Sequence, residues 1–323
     1  MPDLIAHYYF GKSVLSALDE PLRARIDPKI YGFTCAGPDV WFSLGFLGGR
    51  DKPYAVRGTI MQHEKCGAYL LALADEAKNG GDARDALFSY LAGFLCHYCL
   101  DSRCHPYIET MTGNYDGTER TRCYRGAHTR LERAIDSHIL REKYGFVPWH
   151  FPFRKRVLRL RALPESLRAG LNRAHERVYG WEGCFDQLQR CVRDQRRFYA
   201  LMKDPLGLLT PLLRLADNGK STHDLPGLTY HGKDIDGAVV DYLNEGRKPW
   251  RHFCDTSIES TDGFWTLFEK ARGDCLGMIG ACRAYVYENG PSPAAVIGDR
   301  CYETGFACDD PRNGAEQHYE PIF

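Results

Sequence analysis

Leu95-Cys96-His97-Tyr98-Cys99-Leu100-Asp101-Ser102-Arg103-Cys104-His105-Pro106 is the stretch on which the fold turns. Upstream of it, Leu87, Tyr90, Leu91, Phe94 and Leu95 recur at helical spacing, and Asp82 stands where an N-cap belongs. The spacing predicts a helix from Ala83 to about Arg103, ending where Pro106 disfavours helical backbone at His105. His97, Asp101 and His105 stand four residues apart and share one face of it. Their neighbours are strongly apolar, which puts His97 and Asp101 near the core, where an unpaired carboxylate is costly. Cys96-x-x-Cys99 has no second pair at zinc-ribbon spacing and reads as two small buried hydrophobes.

The same period extends over most of the chain. It predicts helices over 55–77, 126–144, 164–179, 185–202, 235–245 and 264–287. In the last, Phe264, Leu267, Phe268, Ala271, Cys275, Met278, Ile279, Cys282 and Val286 keep a 3.6-residue repeat. No segment alternates with period two long enough to claim a sheet, so the expected fold class is all-α. Turn residues cluster at 48–53, 112–117 and 217–220, and none resembles a flexible linker. The expectation is one compact multi-helix domain over 1–323: a metal-site half, 1–145, then a helical completion and C-terminal tail, 146–323. The tail after Asn289, rich in Gly, Pro and Asp, is expected to wrap the surface.

Forty-two basic and 42 acidic residues balance to zero among 323, and 44% are hydrophobic. This excludes a disordered chain and argues against a general polyanion binder. Residues 154–203 hold 13 Lys or Arg against 5 Asp or Glu, which reads best as long basic side chains covering apolar helix faces. No window approaches a membrane span. With no export signal at the start and thirteen cysteines in no repeated framework, mostly reduced thiols and a cytoplasmic location are expected.

Histidine carries the chemistry. His7, His63, His97, His105 and His128 fall in the first 130 residues, and His128-x3-Glu132 repeats the pairing of His97-x3-Asp101. One such pair is more often a core or surface pair than a metal site. Two, with the first extended to His105, favour imidazoles and carboxylates gathered round zinc, in a multinuclear site.

His7, Gly37-Pro38-Asp39, His63, His97-x3-Asp101-x3-His105-Pro106 and His128-x3-Glu132 together resemble the bacterial zinc-dependent phospholipase C family. That family shares its helical fold and trinuclear zinc site with the fungal single-strand-specific nucleases. Residues 241–251 and 298–305 also look like segments of bacterial members. The resemblance implies two to three zinc ions: Asp39, His63 and His97 on one, with Asp101 bridging to a second. His7 shares the second with Asp101, and His105, His128 and Glu132 hold the third. Secreted relatives add the amine of an N-terminal Trp, whereas this sequence starts Met1-Pro2. The alternatives for that ligand are the Met1 or Pro2 amine, Asp3, or water. Asp136, one turn past Glu132, reads either as a partner of a ligating imidazole or as a helix salt bridge to Arg133.

The implied reaction is phosphodiester hydrolysis, with Asp39 and Asp101 as the catalytic carboxylates and Asp39 orienting the attacking water. A phospholipid head group is the substrate the family implies. A nuclease or nucleotidase, acting on nucleic acid, and a non-catalytic metal-binding protein are the alternatives. No transmembrane segment enters any of these readings.

Overall fold

The computed structural model describes residues 3–219, 224–230 and 240–322. Its helices in chain order are α1 (Leu4–Ala17), α2 (Glu20–Arg25), α3 (Pro28–Thr34), α4 (Val56–His63), α5 (Cys66–Lys78), α6 (Arg84–Thr112), α7 (Ala127–Tyr144), α8 (Phe153–Arg156), α9 (Arg168–Tyr179), α10 (Cys184–Met202), α11 (Leu209–Ala216), α12 (Phe264–Tyr287) and α13 (Ala294–Ile297). A 3₁₀ helix, Gly37–Ser43, follows α3. One hairpin, β1 (Trp250–His252) and β2 (Asp255–Ser260), pairs antiparallel with Trp250 opposite Ser260. The fold is all-α.

The long central helix is α6, on which α1, α3, α5, α7 and α12 all pack. From Leu87 to Thr112 nearly every side chain is buried. A helix covered on all sides must be apolar all round, and its few polar residues then need partners inside the core. The helix does not stop at Arg103: Pro106 sits within it, and it runs on to Thr112. Pro106 has no N–H to give the Ser102 carbonyl. The turn at residues 301–305 lies against that carbonyl, with Gly305 close to its oxygen.

Three further expectations are corrected. Residues 55–77 form two helices, not one, because Glu64 is extended and Lys65 takes a left-handed φ of 54°. The apolar repeat continues across this break, so periodicity did not reveal it. The region before residue 55, where no helix was assigned, holds α1–α3. Asp3, Asp19 and Asp27 cap them, accepting from Leu4, Leu22 and both Lys29 and Ile30. Of the helix predicted over 235–245, residues 235–239 lie outside the described residues, and 240–245 is not helical.

The tail does more than wrap the surface. Ile297, Cys301 and Tyr302 are buried, and the Tyr302 amide donates to the Gln62 carbonyl at 2.9 Å. Glu320 and Ile322 then bond the Thr110 and Met111 carbonyls at the end of α6. Arginines of the basic segment pair with acids elsewhere, Arg173 with Glu76 and Arg177 with Asp75, in keeping with a structural role for that charge. Among the described residues, no helix is long and apolar enough to cross a membrane.

Candidate metal centre

Helix α6 presents His97, Asp101, His105 and Glu109 at successive four-residue steps, a row that continues one turn past Pro106. Asp101 is completely buried. Its Oδ2 lies 2.9 Å from His97 Nε2, and its Oδ1 lies 3.1 Å from His7 Nε2 and 3.9 Å from His105 Nε2. These approaches lack hydrogen-bond geometry: both Asp101 oxygens and the Nε2 atoms of His7, His97 and His105 are buried without a hydrogen bond. Leaving five such atoms unsatisfied would cost several kcal/mol, at about 1–3 kcal/mol each. They converge as ligands do.

Two of the three imidazoles are prepared for that role by their other nitrogen, whereas His7 Nδ1 is buried without a hydrogen bond. His97 Nδ1 faces the Cys35 carbonyl at 3.2 Å and His105 Nδ1 the Tyr302 carbonyl at 3.1 Å. A carbonyl only accepts, so each Nδ1 carries the proton and each Nε2 lone pair points at the centre. Burial pulls the His7 pKa down to about 4, helped by His97, and burial also holds His105 well below its ordinary value. Both rings are therefore neutral near pH 7, the form that binds a cation. Burial opposes charge on His97 too, but Asp101 and Asp39 outweigh it and raise its pKa. Burial likewise works against ionised Asp101, and the surrounding histidines reverse it, holding the carboxyl well below its usual range.

His7 is delivered by α1 and stacks on His97, with ring centroids 4.0 Å apart. Asp136 on α7 sets that helix: its two oxygens accept the Ile5 and Ala6 amides at 2.9 and 2.8 Å, and it takes the Tyr230 hydroxyl at 3.0 Å. Neither sequence reading of Asp136 stands, since it touches no imidazole and Arg133 pairs instead with Asp3 at 2.8 Å. Asp3 is occupied by that pair and by capping α1. Met1 and Pro2 lie outside the described residues, as do His223 and His231.

Asp39 enters from the 3₁₀ helix, its Oδ1 3.7 Å from His97 Nε2 and 2.8 Å from the Gln62 amide that donates to it. Its approach depends on Gly37, at φ 48°, where a Cβ would lie 2.4 Å from the His97 ring. Burial raises the Asp39 carboxyl above its usual range, against the pull of His97.

A second group stands beside the first. His128 and Glu132, one turn apart on α7, meet His105: His128 Nε2 is 2.7 Å and His105 Nε2 3.9 Å from Glu132 Oε1. The ligand atoms of His105, His128 and Glu132 lie within 4.8 Å of one another, as do those of His7, His97 and Asp101. His63, which the resemblance groups with Asp39 and His97, meets a carboxylate from far along the chain. Its Nε2 faces Glu303 Oε2 at 2.5 Å, while its Nδ1 meets the Thr59 carbonyl. Sequence reading missed Glu303, and also Glu109, whose Oε1 is 2.8 Å from His128 Nδ1. Continuing the four-residue row would have found Glu109, whereas nothing in local spacing marks Glu303. His7, Asp39 and Glu132 border a cleft that Phe42 and Phe198 also line, so the groups reach solvent. Trp41, by contrast, is core.

The family model described as zinc dependent phospholipase C matches residues 6–180. The chain belongs to this family. The matched span contains all eight ligand residues named from sequence, and Glu303 lies beyond it. Zinc-dependent phospholipase C is a zinc hydrolase family, and the donors suit that ion: imidazoles and carboxylates in two groups, with both Asp101 oxygens and the Nε2 atoms of His7, His97 and His105 buried without a hydrogen bond. No curated protein and no solved structure matches the chain.

Proposed function

We propose that this zinc-dependent phospholipase C homologue hydrolyses a phosphodiester at the cleft, using two to three zinc ions. In this reading His7, His97 and Asp101 hold one ion and Asp39 completes it. His105, His128 and Glu132 would hold another, and Asp101, with one oxygen toward His97 and the other toward His7 and His105, would be shared between the two groups. His63, paired with Glu303, would contribute to a further ion. The observation that carries the reading is the unsatisfied, wholly buried Asp101 carboxylate among three imidazole Nε2 atoms. When bound, zinc lowers the pKa of water into the neutral range and neutralises charge on phosphoryl oxygens. The chain's own part is to orient. Gln62 fixes one Asp39 oxygen, leaving the other to accept a proton from the attacking water, within reach of the cleft.

A lipid substrate is favoured over a nucleic acid by the surface. Leu206, Leu208, Leu212 and Leu215, in and just before α11, are 61–86% exposed, and Phe42 stands at the cleft. Apolar side chains of this kind suit a lipid better than a polyanion. All thirteen cysteines are free, which fits a reducing compartment. The test is hydrolysis of a phosphocholine diester, single-stranded DNA and bis(p-nitrophenyl) phosphate, with and without chelator. Chelator-sensitive head-group release without DNA cleavage is expected. DNA cleavage alone would select the nuclease reading. Zinc bound without turnover of any diester would leave a non-catalytic metal protein.

A further inference from the structure

Away from the histidine–carboxylate centre, Cys66, Asp299 and Cys308 bring their ligand atoms within 4.8 Å of one another. Cys66 Sγ and Cys308 Sγ are 3.4 Å apart, and Cys308 Sγ is 3.6 Å from Asp299 Oδ1. Zinc bonds of about 2.3 Å to sulfur and 2.0–2.2 Å to oxygen set tetrahedral edges of about 3.8 Å between sulfurs and about 3.5 Å between sulfur and oxygen. The observed sulfur–oxygen separation matches, and the sulfur–sulfur separation needs only to open by about 0.4 Å. A disulfide would need about 2.05 Å.

The local fold builds this cluster. Cys66 opens α5, and the next amide, Gly67, donates to Asp299 Oδ1 at 2.6 Å, orienting the carboxylate as bonds behind metal ligands do. Only glycine permits that approach, because a Cβ on Gly67 would lie 1.7 Å from the Gly298 carbonyl oxygen. The Cys308 amide closes the loop on the Asp299 carbonyl at 2.9 Å. Cys66 is buried, Cys308 half-buried and Asp299 exposed, so a cation has a route in and a water can supply the fourth position.

We propose that Cys66, Cys308 and Asp299 form a separate thiolate site for zinc that clips residues 298–308 onto the start of α5. Two sulfurs select a thiophilic cation, unlike the nitrogen and oxygen donors of the main centre. Binding displaces the two thiol protons. The clipped loop carries Glu303, so the site also fixes the carboxylate that faces His63.

Cobalt(II) loading of the full chain, purified without oxygen, tests this. Paired thiolates give cobalt an intense near-ultraviolet sulfur charge-transfer band, and the main centre has no sulfur to contribute. The band should be present in the parent, in Asp101→Asn and in Cys123→Ser, which removes an exposed thiol elsewhere. Cys308→Ser should lose the band and one equivalent of metal while its circular dichroism stays that of the parent. A fully loaded parent without the band, a band that survives Cys308→Ser, or a Cys66–Cys308 disulfide found by peptide mapping would overturn the proposal.

Discussion

Glu303 Oε2 lies 2.5 Å from His63 Nε2, joining two residues 240 positions apart. The pair holds the C-terminal loop against the end of α4. Burial disfavours ionised Glu303, but its bond to His63 outweighs this and lowers its pKa.

Glu303→Gln should leave the helices folded, since Tyr302 and Cys301 still anchor the loop. Losing the charge that faces His63 is expected to reduce diesterase activity by roughly 10–100-fold, the usual effect for a group acting on a metal ligand. Glu303→Asp should recover part of it. Steady-state rates and metal content on purified variants check this, and an unchanged rate in the Gln variant would remove Glu303 from the site.

Asp136 should matter through α1, not through a metal. Asp136→Asn keeps one acceptor oxygen where two amides and a hydroxyl now converge. A buried donor left unpaired costs about 1–3 kcal/mol, so a urea midpoint should fall accordingly. Because α1 carries His7, metal loading should weaken as well. A variant with parental stability would mean the start of α1 is held by something else.

How much of this was legible in the sequence depended on whether a feature lay within one element. His97, Asp101 and His105 share a helix, so spacing alone put them on one face. Glu109 continues that row but was hidden by Pro106, which lies inside the helix without ending it. α2 and α3 have six and seven residues, too few to show a period. In α1 the run from Leu4 to Phe10 is apolar or aromatic apart from His7, so the period is masked. The grouping of His63 came from resemblance, and its pairing with Glu303 is a tertiary contact that no local pattern encodes. The caps at Asp19-Glu20-Pro21 and Asp27-Pro28 were readable signals that were passed over.

His175 gives a pH dependence separate from the metal centre. It is fully buried, with Nδ1 at 2.8 Å from the Leu171 carbonyl and Nε2 at 3.2 Å from the Tyr69 hydroxyl. Burial lowers its pKa to about 4. The unfolded chain, with an ordinary histidine pKa of about 6.5, therefore binds more protons between these values, and stability falls as pH drops through that window. The loss from this one group is at most roughly 3 kcal/mol. Denaturant titrations of parent and His175→Gln from pH 7 to 4.5 should converge as pH falls, because the variant lacks the term. Parallel curves would show that His175 does not titrate in this range.

In the proposed function Asp101 is the group shared by the ions, and Asp101→Asn tests this most directly. An Asn keeps the shape but removes the charge and one of the oxygens that separately face His97 and His7. The decisive measurement is zinc per chain by elemental analysis of the parent and Asp101→Asn, paired with bis(p-nitrophenyl) phosphate turnover. The variant is expected to lose at least one zinc and more than about 100-fold in rate, beyond the range for an indirect partner, with its helical circular dichroism intact. A variant that keeps the full metal complement and the parental rate would contradict the assignment of Asp101 as the link between the two ligand groups.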